Sequence, residues 1–163
     1  MTLDSFADRF IDQAREFLLA DYLPKIERCL DQLSDEQIWW RPNEQSNSIG
    51  NLLLHLSGNA RQWILTGLGG EVDKRQRDKE FAEREGIPAS ELLRQIKGTL
   101  QEVDDVLAGF DRSKLLDLRK IQGNDVTALE AVFHVTEHFS MHSGQIILLT
   151  KLMIAKDLKF YDL

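Results

Sequence analysis

His134, His138 and His142 stand at intervals of four in the stretch Thr127 to Met153. On an α-helix, at roughly 100° per residue, that spacing sets three imidazoles on one stripe, about one turn apart. Imidazole titrates near neutral pH and is the commonest ligand of divalent transition metals. A His-x-x-x-His pair on a helix brings two ring nitrogens near enough to hold one ion. The same stripe carries Ala131 and Val135 before the histidines, Leu149 and Leu152 after them, and Gln145 within it. The seam is therefore apolar at both ends and polar in the middle, where a buried group costs free energy unless it is paired. A metal ion is one such partner. A hydrogen-bonded pair of core histidines fits the pattern equally well, and a third ligand from elsewhere in the chain has to decide.

The stretch that positions these residues reads as one long helix opened by a capping box, with Thr127 at the cap and Glu130 three residues on. Glu137, one residue before His138, points well off the histidine stripe. Upstream, Ser48 caps a second long helix, SIGNLLLHLSGNARQWILTG, which ends at Gly69 and Gly70. Its most apolar face is Ile49, Leu53, Ala60 and Ile64. His55 lies off that face, on a stripe with Asn51, Gly58, Asn59 and Gln62. Periodicity alone assigns this stripe to solvent, and a polar pocket fits it as well. At Gly58 a ligand or another part of the chain could come close.

Two further helices complete the set. Leu3, Phe6, Phe10, Ala14, Phe17 and Leu18 recur at helical spacing, continued by Tyr22, Ile26, Leu30 and Leu33. This predicts a first helix from about Leu3 to Leu33, bent near Ala20 to Leu23 by Pro24. Leu92, Leu93, Ile96, Leu100, Val103, Val106, Leu107 and Phe110 define a third, starting at Pro88 or Ser90. Ser34 and Gln37 form another capping box on a short turn that carries Trp39 and Trp40. The Trp pair is read as a plug on one end of the core, with stacking on a ligand as the alternative. Glu71 to Gly86 is a run of mixed charge around one apolar anchor, Phe81. It is read as a solvated connection, unless Arg75 or Arg77 folds over a pocket to hold an anionic ligand. Asp111 to Val126 is a connection with its turn at Gly123-Asn124, no run alternates as a strand requires, and the tail beyond Ile154 packs back through Leu158, Phe160 and Tyr161. The expected fold is all-α: a four-helix bundle, one domain over residues 1–163, with long connections between helices.

Composition narrows the function. The 163 residues carry a net charge of −7, with 42% hydrophobic and 29% charged residues and no basic block. That argues against nucleic-acid binding, which needs lysine and arginine on phosphates. The longest apolar run, Ile146 to Leu149, is far too short to span a bilayer, and the acidic, amphipathic start does not read as a secretory signal. Cys29 is the only cysteine, so no internal disulfide forms and a reducing cytoplasm is expected.

Two stretches, SNSIGNLLLHLSGNARQWILTGLGG and HVTEHFSMHSGQI, resemble the DinB superfamily, and more narrowly its DUF1572 branch. The family pattern is one histidine on the second helix and a His-x-x-x-His pair on the fourth. Mapped here, the resemblance implies His55, His138 and His142 as metal ligands. His134, Gln145, Asn59 and Glu137 are then neighbours of the site or of its pocket. Many relatives carry an arginine directly after the last histidine; here that position is Ser143, so any role of the basic residue does not transfer. Zinc and nickel both suit imidazole ligands, a small-molecule substrate is expected, and the resemblance adds a homodimer, as relatives often form. The resemblance offers two reactions: transfer by a low-molecular-weight thiol activated at the metal, or metal-dependent hydrolysis. Three imidazoles leave a coordination position open, the arrangement of catalytic sites, whereas structural zinc takes four protein ligands. Thiol transfer ranks first, because apart from Glu137 no general base is evident. The alternative from another class is a non-catalytic helical binding or sensor module whose metal is structural or vestigial.

Overall fold

The two predicted capping boxes form, the expected Ser48 cap forms a third, and they set where the helices begin. Ser34, Ser48 and Thr127 each accept a hydrogen bond from the third backbone N–H of the helix that follows. The side chains of Gln37, Asn51 and Glu130 reach back to the three cap N–H groups. The computed structural model describes residues 3–160, with side chains from residue 5; Tyr161 and the side chain of Leu3 lie outside this range. The chain runs α1 (Leu3–Glu16), a π-helical segment (Phe17–Tyr22) and α2 (Leu23–Leu30), then the short α3 (Asp35–Trp39). α4 (Ile49–Ala60) continues as a second π-helical segment (Arg61–Thr66). α5 (Arg77–Ala82) lies in the charged stretch, followed by α6 (Ala89–Ala108), a 3-10 turn, two strands and α7 (Ala128–Ile154).

The first helix runs from α1 into α2 with no break at Pro24. The change of winding is the π-helical segment just before it, and Pro24 takes one of the first two positions of α2, where a missing N–H costs little. Its buried face is also turned from the expected one. Ala7, Ile11, Ala14 and Leu18 enter the core, while Phe6 and Phe17 stay exposed and stack on Phe10 and Tyr22 along the flank. Aromatic rings at this edge satisfy the same periodicity as a core face, which is why spacing alone misplaced the stripe.

α4 packs on α6 and α7, α2 packs on α7, and α1 packs on both α6 and α7. Between them lie Ile26, Ile38, Leu52, Leu56, Ile64, Ile96, Leu100, Val135, Phe139 and Ile146, all nearly or wholly excluded from water. Trp39 plugs one end, its ring against Gly50 and its Nε1 donating to the Ile87 carbonyl at 2.9 Å. Trp40 remains exposed and takes no part in the plug. The tail returns as expected at Leu158, which is buried, and at Phe160, whose ring lies under Arg28.

The fold is mostly helical, and the expectation of no strand needs correction. β1 (Leu118–Ile121) and β2 (Asn124–Thr127) form an antiparallel hairpin around Gln122 and Gly123, both with positive φ. Each strand has four residues, and only Ile121 is buried. Such strands carry too little alternation to be seen in sequence. The hairpin leads straight into the Thr127 cap, fixing where α7 begins. Leu152, assigned to the histidine seam, is 63% exposed, because the seam leaves the core before the last turn of α7.

Candidate metal centre

α7 presents His134, His138 and His142 toward α4, and α4 brings His55 to meet them. His55 Nε2 lies 2.9 Å from His138 Nε2. The rings of His138 and His142 are 4.4 Å apart between centroids, and those of His55 and His142 are 5.2 Å apart. One ring nitrogen from each of His55, His138 and His142 falls within 4.8 Å of the other two. Metal–imidazole bonds of about 2.0–2.1 Å place tetrahedral ligands roughly 3.3 Å apart, so these separations bracket what one ion requires. The donor set suits zinc or nickel, both of which accept imidazole.

The outer ring nitrogens of His142 and His55 are each occupied by a partner. His142 Nδ1 is 2.7 Å from Gln145 Oε1, and His55 Nδ1 is 2.9 Å from Glu80 Oε2. Both contacts turn Nε2 of the ring inward, the orientation that outer partners give to metal-binding histidines. His134, whose ring lies 5.2 Å from that of His138, is not one of the three. Its Nε2 meets Asn59 Nδ2 at 3.2 Å, its Nδ1 lies 3.4 Å from Glu137, and its ring packs on Trp63. Asn59 and Glu137 thus contact His134 and not the three-nitrogen cluster. Ser143 is buried with its hydroxyl unpaired.

Burial away from water makes the three α7 histidines, His134, His138 and His142, weaker bases. Burial, then the neighbouring His142 and His55, lower His138 to about 3. Burial also lowers His142 and His134, in the latter case against the pull of Glu137. Neutral imidazoles with free lone pairs are what a metal needs.

Most of the polar stripe on α4 is covered by another part of the chain, while Gly58 and Gln62 also line a cavity. The stripe is the seat of the charged stretch that follows. Asn51 Nδ2 donates to the carbonyls of Glu80 and Glu83 at 2.8 and 2.9 Å, and Gln62 bonds Asp73 and Arg75. Phe81 packs on the His55 ring, and the carboxylate of Glu80 fills the notch above Gly58, where a Cβ would come within 2.1 Å of Oε1. Arg75 clasps Glu80 through Nε at 2.8 Å and Nη2 at 2.9 Å. Burial pushes the Glu80 acid up, but hydrogen bonds from Arg75 and His55 outweigh it and hold the group below the usual carboxylate range. Arg75 therefore neutralises an internal carboxylate, and Arg77 lies over the Phe81 ring. A cavity of about 730 Å³ opens on the outer side of this clasp, lined by Arg75 and Glu80 and by none of the histidines. Glu80 was not visible in the sequence. The one signal near it is Phe81, the only aromatic residue of a charged run.

Solved structures share this architecture. A conserved protein from Enterococcus faecalis is 18% identical with a TM-score of 0.69, the match covering 96% of this chain and 99% of that one. A DinB-like protein (YjoA) from Bacillus subtilis is also 18% identical at 0.69, covering 91% and 96%. A DinB-like protein from Bacillus cereus is 16% identical at 0.64, covering 81% and 85%. None of the curated proteins matches the chain. Fold and histidine cluster together define a DinB-like helical protein with a site compatible with a metal ion. Within that class the chain belongs to the family described as protein of unknown function DUF1572, whose model matches residues 5–162.

Proposed function

We propose that the chain is a single DinB-like four-helix-bundle domain that holds one divalent transition metal, zinc or nickel, on His55, His138 and His142. The reading rests above all on the convergence of three imidazole nitrogens within 4.8 Å, two of the rings having their other nitrogen occupied by Glu80 or Gln145. We propose further that the site serves transfer chemistry with a low-molecular-weight thiol and a small electrophilic substrate. A three-imidazole ion supplies Lewis acidity that lowers the pKa of a thiol or water beside it. The protein's own part is to present unprotonated nitrogens and exclude competing protons. Glu137, about half exposed and turned to His134, is not placed to act as a base beside the cluster, which favours a thiol over hydrolysis. The test is turnover of a panel of electrophiles with a thiol by zinc- or nickel-loaded protein, against the variant with all three histidines changed to alanine. Thiol-dependent turnover lost in the variant supports the proposal, and equal rates in both proteins refute it.

A further inference from the structure

His55 Nδ1 sits between two groups of opposite character. Glu80 Oε2 is 2.9 Å away and can only accept a hydrogen bond while ionised; Arg75 Nη2 is 3.1 Å away and can only donate. A neutral imidazole carries one N–H, so whichever group wins decides which ring nitrogen keeps its lone pair. The clasp settles the competition. Arg75 spends Nε–H and Nη2–H on the two oxygens of Glu80, and Oε2 is left to take a third proton, that of His55 Nδ1. The arrangement is almost closed to water, with side-chain exposures of 5% for Arg75, 6% for His55 and 10% for Glu80. Gly58 gives the carboxylate its room.

We infer that Glu80 is a positioning residue that holds the His55 proton on Nδ1, and that without its negative charge Arg75 captures Nδ1 and drives the proton onto Nε2. Nε2 is the nitrogen 2.9 Å from His138, so the shift would close the face of His55 that belongs to the cluster. Arg75 is thus held in check by the carboxylate it neutralises. The consequence for metal affinity rests on the proposed metal site; the tautomer itself does not.

The experiment is ¹⁵N-resolved NMR of the imidazole nitrogens in full-length, chelator-stripped protein at pH 8, followed by zinc affinity from chelator competition. Wild type is expected as the Nδ1–H tautomer, E80Q as Nε2–H, and both E80D and R75M as Nδ1–H. Zinc affinity should fall about 10- to 100-fold in E80Q and far less in R75M. A clasp that only fastened the charged stretch would move stability in R75M and E80Q alike and leave the tautomer unchanged. An Nε2–H tautomer in wild type or in R75M overturns the inference, as does an unchanged His55 in folded E80Q. Should E80Q not fold, wild type and R75M still decide. If the tautomers behave as stated but wild type takes up no zinc, the metal reading fails and this one stands.

Discussion

Replacing Gly58 by alanine sets two effects of opposite sign against each other. Alanine is favoured over glycine inside a helix by about 1 kcal/mol, so an unobstructed site would gain stability. At Gly58 the new methyl would lie 2.1 Å from Glu80 Oε1, 2.9 Å from its Cδ and 3.1 Å from Arg75 Nε. The carboxylate has to retreat, and with it go two bonds from Arg75 and one from His55. Hydrogen bonds to charged groups contribute about 1.5–3 kcal/mol each, and losing even one or two outweighs the helix gain. G58A should therefore be destabilised by about 1–4 kcal/mol, or roughly 3–12 °C in Tm for a chain of this size. G98A is the internal control. Gly98 lies in the exposed interior of α6 with nothing within 4 Å of its would-be Cβ, and alanine there should stabilise. Urea unfolding of both variants under one buffer, with chelator present, reads the difference. Equal stabilisation of the two would show that Glu80 does not occupy the notch, and the account of the clasp would fall with it.

Two other perturbations probe the surroundings. Asn51 is fully buried and serves as cap partner to Ser48, acceptor for Arg41 and donor to two carbonyls of the charged stretch. N51A should cost about 3–4 kcal/mol in urea unfolding, from the lost cap and the polar groups left unpaired; a loss under 1 kcal/mol would contradict these bonds. The histidines predict the pH response of metal-free protein. His138 is lowered to about 3 when folded, against roughly 6.5 when unfolded, so below pH 6.5 only the unfolded chain takes up the proton. Stability from this group is complete above pH 6.5 and is lost as pH falls toward 3, with a limiting slope of about 1.4 kcal/mol per unit. H138Q should flatten the urea-midpoint profile between pH 7 and 5, and a slope as steep as wild type would count against the burial described.

What was legible in the sequence follows from which forces act locally. Ser34–Gln37 and Thr127–Glu130 are capping boxes within one helical turn, and both formed. The three-residue and four-residue steps in α6 and α7 report one buried face each, and the three histidines of the family pattern, His55, His138 and His142, lie together. Asn51, Gly58 and Gln62 were visible as a polar stripe, but periodicity cannot say what covers it. The cover is a charged stretch whose contacts are made across 20 or more residues, His55 to Arg75 and His55 to Glu80. Nothing separates Glu80 from the other acids of its run before folding brings it over Gly58. The hairpin escaped for another reason: four-residue strands with one buried side chain are held by backbone pairing and a turn rather than by pattern. Phe6 and Phe17 show the same limit in reverse, since aromatic residues at helical spacing can cover a flank instead of a core.

Metal content is the most direct measurement of the central claim. Protein purified without a histidine tag, stripped with chelator and titrated with zinc or nickel, should take up one equivalent of ion. H55A, H138A and H142A should each lose that uptake, while H134A, whose ring is held by Asn59 and Trp63, should retain it. Uptake that survives loss of His55, or no uptake by the wild-type chain, would contradict a metal centre shared between α4 and α7.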